Sequence, residues 1–217
     1  EPVRNSASVS HTTTSIGGTS AMHNTTDINA SIVSEDNKLG IAVFGQNTEK
    51  DAWDANGDGF TELSRISGQT IGFRGYVKTG LYSKVTAEYH HLQEFRRGGD
   101  NLHLPPHEAM IAEQTEHGIN TGGVKFDVFS KDNKHRFNAF ASIQHIARDS
   151  YYGAGMDPNA YGKTDDLTWV GGAQYIYRMA ECLFMPSDLT VGLEYNEDYL
   201  QDNMWGYDRV TDQTVRI

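Results

Sequence analysis

The sequence predicts an all-β protein, an antiparallel up-and-down meander of about nine or ten strands. Apolar and polar residues alternate along most of the chain, which is the period-2 pattern of strands with one apolar face. The segments between the predicted strands alternate in length between short and long. Glycine is abundant, at 22 residues, and hydrophobic residues make up only 37% of the chain. This balance suits a sheet with one apolar and one polar face.

The alternation can be followed strand by strand. Leu39, Ile41 and Val43 share the first clear apolar face, and Ile71, Phe73 and Val77 share the next. The same pattern continues in 84–90, 123–129, 136–142, 169–177 and 189–196. Helical periodicity is weak and confined to 106–114, so helices contribute little to the predicted fold.

The connections favour a transmembrane β-barrel. The short ones are 34–38, 78–83, 130–135 and 180–188, and the long polar ones are 46–67, 93–115, 147–166 and 197–211. Outer-membrane barrels have short periplasmic turns and longer external loops, with aromatic residues at both membrane interfaces. Tyrosine and tryptophan gather near the predicted strand ends. The alternative is a soluble extracellular β-sandwich that binds carbohydrate or calcium.

Composition and motifs exclude several classes of function. The formal net charge of −11 argues against a nucleic-acid partner, because binding phosphates requires a basic surface. The single cysteine, Cys182, excludes an internal disulfide. No apolar stretch approaches the ~18 residues of a transmembrane helix. Nucleophile and phosphate-loop motifs are missing from the sequence, so we expect no enzymatic activity.

The segment WDANGDGFTE, at 53–62, is a candidate calcium loop. Asp54, Asn56 and Asp58 supply side-chain oxygens at a spacing of two, Gly59 permits a sharp turn, and Glu62 follows. An EF-hand would require a glutamate at the twelfth position of the loop. That position holds arginine, which excludes a true EF-hand.

The loop has one further candidate ligand and one alternative interpretation. Asp51 lies just before it and is a further candidate ligand. A metal-free polar turn remains the alternative, because Asn-Gly and Asp-Gly are favoured turn pairs in their own right.

Adjacent arginines form a second candidate site. Arg96 and Arg97 lie at the end of a predicted strand. Paired guanidinium groups suit an anionic ligand, because they donate in a planar, bidentate geometry. Ion pairing with Glu94 or Asp100 is the competing interpretation.

Three stretches together resemble the TonB-dependent outer-membrane receptors. The segment NTTDINASIVSEDNKLGIAVFGQNTEKDAWDANGDGFTE is similar to the start of the barrel in the cobalamin receptors. The segments QEFRRGGDNLHLPPHEAMIAEQTEHGINTGGVKFD and RDSYYGAGMDPNAYGKTDDLTWVGGAQYIY resemble receptors of the Bacteroides group, often labelled siderophore or cobalamin receptors. The resemblance covers nearly the whole chain.

This resemblance implies a fold and a function. Residues 1–217 would form the first part of a barrel of about 22 strands, and a plug domain and the remaining strands would lie outside this sequence. The intact protein would reside in the Gram-negative outer membrane, in contact with lipid. It would import a metal chelate, a ferric siderophore or a cobalamin, with energy transmitted by TonB through the plug. No cofactor would be required besides the candidate calcium.

The resemblance also suggests which residues contact the ligand. External loops rich in aromatic residues would recognise the chelate, together with Arg96 and Arg97. The aromatic candidates in the predicted long loops are Tyr151, Tyr152, Tyr161 and Trp205.

Overall fold

The computed structural model describes residues 2–182, 184–204 and 209–216, and it contains one ten-stranded antiparallel sheet. Each strand pairs with the next one in sequence, so the order across the sheet equals the order along the chain. The predicted all-β, up-and-down meander is therefore confirmed. The strands are β1 (Ser6–Ser15), β2 (Met22–Val33), β3 (Leu39–Lys50), β4 (Arg65–Gly80), β5 (Ser83–Gly99), β6 (Ile111–Phe129), β7 (His135–Ala154), β8 (Tyr161–Cys182), β9 (Met185–Met204) and β10 (Arg209–Arg216).

Short and long connections lie at opposite ends of the sheet, but the long ones are shorter than predicted. Between β3 and β4 the connection is 51–64, between β5 and β6 it is 100–110, and between β7 and β8 it is 155–160. The predicted loop boundaries were wrong because the strands continue beyond the point where apolar alternation stops. Backbone pairing does not need apolar side chains, and the ladder continues through polar pairs such as Glu116↔Asp149.

The sheet has one apolar face, which is exposed. Strand register aligns residues of the same face in rows, for example Val43↔Phe73 and Phe73↔Tyr89. Large hydrophobic side chains of this face remain accessible on seven strands: Ile28, Ile32, Leu39, Ile41, Ile71, Val77, Val124, Phe126, Phe137, Ile143, Trp169, Tyr175, Leu189, Val191, Leu193 and Tyr195. Such a continuous exposed apolar surface is much larger than that of an ordinary soluble monomer. We call it the apolar face.

The opposite surface, the polar face, carries most of the charged side chains of the strand centres. Arg74 pairs with Glu88 at 3.5 Å, and Lys125 pairs with Asp127 at 3.0 Å. Aromatic rings on this face occupy the space beside glycines of neighbouring strands. A Cβ at Gly40 would come within 2.5 Å of the Tyr76 ring. Tyr76 is therefore buried on the polar face.

Helical structure is limited to one 3-10 turn, Pro106–Glu108, among the described residues. The weak helical pattern over 106–114 was therefore misleading, since β6 begins at Ile111. Within the described ranges, no helix is long and apolar enough to cross a membrane.

Candidate functional site

The loop between β3 and β4 is closed at its base by a short antiparallel bridge. Trp53 N–H donates to Leu63 O at 2.9 Å, and Leu63 N–H donates to Trp53 O at 3.1 Å. The Trp53 indole packs on Gly17 of the β1–β2 connection, where a Cβ would lie 2.5 Å from the ring. The loop therefore has a fixed position relative to the neighbouring connection.

Backbone N–H groups organise the carboxylates inside the loop. Asp54 accepts from Gly57 N–H through Oδ1 and from Gly59 N–H through Oδ2, both at 2.7 Å. Both glycines have positive φ, +76° and +88°, a conformation that favours glycine. The N–H of Gly59, followed by other loop N–H groups, lowers the pKa of Asp54, so its carboxylate is ionised at neutral pH.

Three predicted ligands come together in this loop. Oxygens of Asp54, Asp58 and Glu62 all lie within 4.8 Å of one another. Asn56 stays beside them, because its Nδ2 donates to Asp58 Oδ2 at 3.0 Å. Asp51 lies apart from this cluster, since its Oδ2 accepts the N–H of Met22 at 2.9 Å. The geometry therefore favours three carboxylates as metal ligands. Asp51 instead connects the loop to β2 through its hydrogen bond with Met22.

The donor set of this cluster suits a hard cation. All three groups offer carboxylate oxygens, which calcium prefers, and calcium takes six to eight such ligands in flexible geometry. Asp54 uses both oxygens, and Glu62 uses Oε2 towards Ala55 N–H at 2.6 Å, as acceptors of backbone N–H. An oxygen that accepts one N–H retains another lone pair for a metal. The residues therefore fit calcium, and water would have to complete the shell.

The two arginines point to opposite faces of the sheet because they are consecutive residues of β5. Arg96 pairs with Glu94 at 3.3 Å, as the competing interpretation proposed. Arg97 is only 2% exposed and donates through Nη1 to Gly98 O and through Nη2 to Asp100 O. Burial lowers the pKa of Arg97. The structure thus does not bring the guanidinium groups together as one anion clamp.

Residues 100–110, which we call the strap, fold over the end of the apolar face. His107 and the Tyr161 hydroxyl lie 2.7 Å apart, and the Tyr151 hydroxyl donates to Asp157 O at 2.9 Å. Ala109 is fully buried, and Tyr151 is 1% exposed. Tyr151 therefore packs in a small core under the strap, although it was predicted to lie in an external loop.

The structure separates the aromatic ligand candidates. Tyr151 and Tyr152 belong to β7 and Tyr161 opens β8, so none of them lies in a loop as expected. Tyr152 and Tyr161 remain exposed, unlike Tyr151. Trp205 lies outside the described residues. Among the predicted aromatic set, the accessible candidates in the described part are Tyr152 and Tyr161.

Comparisons with protein-family models, with curated proteins and with solved structures found no match. The resemblance of three sequence stretches to TonB-dependent receptors therefore stays a prediction. The features of the molecule that bear on function are the two faces of the sheet and the carboxylate loop.

Proposed function

We propose that this chain is a section of an outer-membrane β-barrel of the TonB-dependent receptor type. The complete receptor would bind a metal chelate, a ferric siderophore or a cobalamin, and import it. The observation that carries the proposal is the exposed apolar face of the meander, opposite a charged face. Lipid on one side and an aqueous lumen on the other require this arrangement.

The dimensions of the apolar face support this proposal. On β8 the alternate residues from Leu167 to Tyr177 include Trp169 and Tyr175 and span eleven positions. A transmembrane β-strand requires about 9–11 residues. Polar pairs such as Asp149↔Lys163 continue the same ladder beyond the apolar part. Strands that project beyond a membrane would have this composition.

The rival proposal is a soluble extracellular β-sandwich that binds carbohydrate or calcium. A sandwich buries the apolar faces of two sheets against each other. All ten strands belong to one sheet, so the second layer would have to come from outside the described residues. In that case water or protein, rather than lipid, would contact Trp169.

We expect brominated phospholipids to quench the fluorescence of Trp169 and to leave that of Trp53 unchanged. Bromine quenches by contact, and Trp169 lies on the apolar face whereas Trp53 lies in the β3–β4 loop. The measurement uses two variants of the full chain refolded in vesicles. Trp53→Phe/Trp205→Phe leaves Trp169, and Trp169→Phe/Trp205→Phe leaves Trp53. Equal quenching of both, or none, would contradict a membrane-spanning sheet.

Ligand recognition is proposed at the long-connection end. The accessible polar and aromatic side chains there include Arg96, Tyr152 and Tyr161. Coupling to TonB would pass through the plug that the resemblance implies. Neither step involves covalent chemistry by this chain.

We propose calcium as the ion of the β3–β4 loop, held by Asp54, Asp58 and Glu62. Three carboxylates this close repel one another when they are ionised, and a divalent cation would relieve that repulsion. Binding would hold the three carboxylates together within the loop, whose Trp53 already packs on Gly17. The ion would have a structural role at the rim of the ligand site.

Terbium, a luminescent substitute for calcium, should be sensitised by Trp53 because the indole precedes Asp54 directly in the sequence. We expect calcium to displace terbium, and Asp54→Asn/Asp58→Asn to weaken binding by about 10-fold or more, the loss typical of even supporting groups at metal sites. Asp51→Asn is the matched control and should bind normally. An equal loss in both variants would place the ion elsewhere.

A further inference from the structure

A row of amide side chains borders the apolar face at the long-connection end of the sheet. Strand register places Asn47 of β3 opposite Gln69 of β4, and Gln69 opposite Gln93 of β5. On β4, Ile71 and Phe73 follow Gln69 at a spacing of two, so the amides project from the same side of the sheet as the apolar face. We call Asn47, Gln69 and Gln93 the amide row.

The side chains of the amide row have no partner in the protein. Within the described part of the chain, none of the three forms a hydrogen bond, and all three are exposed. Amides of the polar face are paired instead, since Gln46 donates to Asp27 at 2.7 Å and Gln144 donates to Thr121 at 3.0 Å. Each free amide offers two donors and one acceptor oxygen. The amide row can therefore bind an external polar group without breaking an internal hydrogen bond.

A recess of about 410 Å³ lies beside the amide row. In the next row towards the strand centres, Gly45 lies between Ile28 and Ile71 and has no side chain to fill this space. His91 continues that row, and its Nδ1 lies 2.9 Å from Asn120 Oδ1. The volume is in the lower part of the range for small-molecule sites. The recess therefore has apolar walls on one side and amides on the other.

The lining of the recess carries no fixed charge. One row further out on β3, the Glu49 carboxylate accepts the Ser67 hydroxyl at 2.6 Å. At the level of the amide row, β8 instead has an acid, Asp165. A phosphate or an amine in the recess would lack an opposite charge, whereas hydroxyl groups donate and accept as amides do. The uncharged lining therefore favours a neutral, hydroxyl-bearing group.

Apolar surface continues from the recess onto the centre of the sheet. Ile28 is 52% exposed and Ile71 is 62% exposed. Phe73 follows Ile71 on the same face, opposite Val43. A free sugar in the recess would leave these side chains in water, whereas an attached acyl chain would cover them. The surroundings of the recess thus fit an amphipathic molecule with an uncharged polar end.

We propose that the recess binds the uncharged, hydroxyl-rich headgroup of a glycolipid. The sugar contacts the amide row, and the acyl chains lie along Ile71 and Phe73. This inference rests on the proposed function, because it places the apolar face in a membrane. It adds a lipid partner of defined chemistry and assigns that lipid to the leaflet at the long-connection end.

The test compares quenching by two lipids with brominated acyl chains, a monoglycosyl diacylglycerol and phosphatidylcholine. Each is a minor fraction of phosphatidylcholine vesicles that hold the full chain. Phe73→Trp, in a Trp53→Phe/Trp169→Phe/Trp205→Phe background, places a reporter next to the recess. Trp169, kept alone by Trp53→Phe/Trp205→Phe, is the matched reporter, because register places it in the same row across the sheet as Phe73.

We expect the glycolipid to bind beside the Phe73→Trp reporter about 25-fold more strongly than phosphatidylcholine, about five-fold for each of two hydrogen bonds. Trp169 should show no preference. Gln69→Leu/Gln93→Leu should remove the preference, because leucine cannot form hydrogen bonds through its side chain. Asn138→Leu/Gln144→Leu removes two amides from the polar face and should keep it. Quenching by brominated phosphatidylcholine checks that each variant still lies in the membrane.

Other outcomes separate the two proposals. If both lipids quench both reporters equally, the glycolipid site is wrong and the membrane sheet stands. If neither lipid quenches either reporter, both proposals fail. An equal preference at Trp169 would mean that the whole apolar face, and not the recess, selects the lipid. Equally strong binding of brominated phosphatidylglycerol would rule out selection for an uncharged headgroup. Full competition by a soluble methyl glycoside would replace the lipid site with a free-sugar site.

Discussion

Val124→Lys is expected to reduce the free energy of unfolding from lipid vesicles by about 2–4 kcal/mol, the cost of a lysine at the lipid face of a barrel near the bilayer midplane. Val124 lies in the middle of β6 on the apolar face and is 48% exposed. Its cross-strand neighbours are Ala87 and Ala141, which leave no polar partner for an ammonium group. The measurement is denaturant titration, followed by tryptophan fluorescence.

The matched control is Ser142→Lys. Ser142 is exposed on the polar face of β7, next to Ala141, and pairs with Gly123. A lysine there should change the free energy of unfolding by no more than about 0.5 kcal/mol, as for most surface substitutions. Comparable small effects of both substitutions would mean that water covers both faces, and the membrane proposal would then be wrong. The comparison therefore isolates the face of the sheet from the chemistry of the substitution.

The fold could be predicted from the sequence because apolar and polar residues alternate within each strand, and this pattern is local. Residues such as Ile71, Phe73 and Val77 recur at a spacing of two, and turn residues separate one run from the next. The positions at which the strands end could be predicted less well. From Arg148 to Ser150 on β7 both faces carry polar residues, so the pattern no longer distinguishes a paired strand from a loop. Backbone register, which the side chains do not encode there, continues to Ala154.

The part of the candidate site that lies in one short loop could be predicted from the sequence. The parts that bring together distant chain segments could not. Asp54, Asp58 and Glu62 converge because one short loop contains them. The arginine pair could have been rejected from the sequence, since adjacent strand residues point to opposite faces. The buried position of Tyr151 depends on Ala109 and Ala160, which reach it from different connections. The small side chains Gly153, Ala109 and Ala112 were the available signal.

Tyr151→Ala is expected to destabilise the strap by about 3–5 kcal/mol, the range for removing a large buried aromatic side chain. The Tyr151 ring fills the space between Ala109, Ala112 and Ala160, and these small residues cannot expand into the cavity. The substitution also removes the donor to Asp157 O, which connects β7 to the β7–β8 connection. Amide hydrogen exchange of Gly155 and Met156, whose N–H groups donate to Met110 O and Ala109 O, reports strap opening.

Two further variants separate packing from hydrogen bonding and from ligand contact. Tyr151→Phe keeps the ring and should cost only about 1 kcal/mol, the usual net value of one hydrogen bond. Tyr152→Ala changes the adjacent residue on the opposite face, which is exposed, and should leave exchange under the strap unchanged. If Tyr151→Ala leaves the protection of Gly155 intact, the strap is held by other contacts. Because Tyr151 is buried and Tyr152 is accessible, we expect only Tyr152 among this pair to affect chelate binding directly.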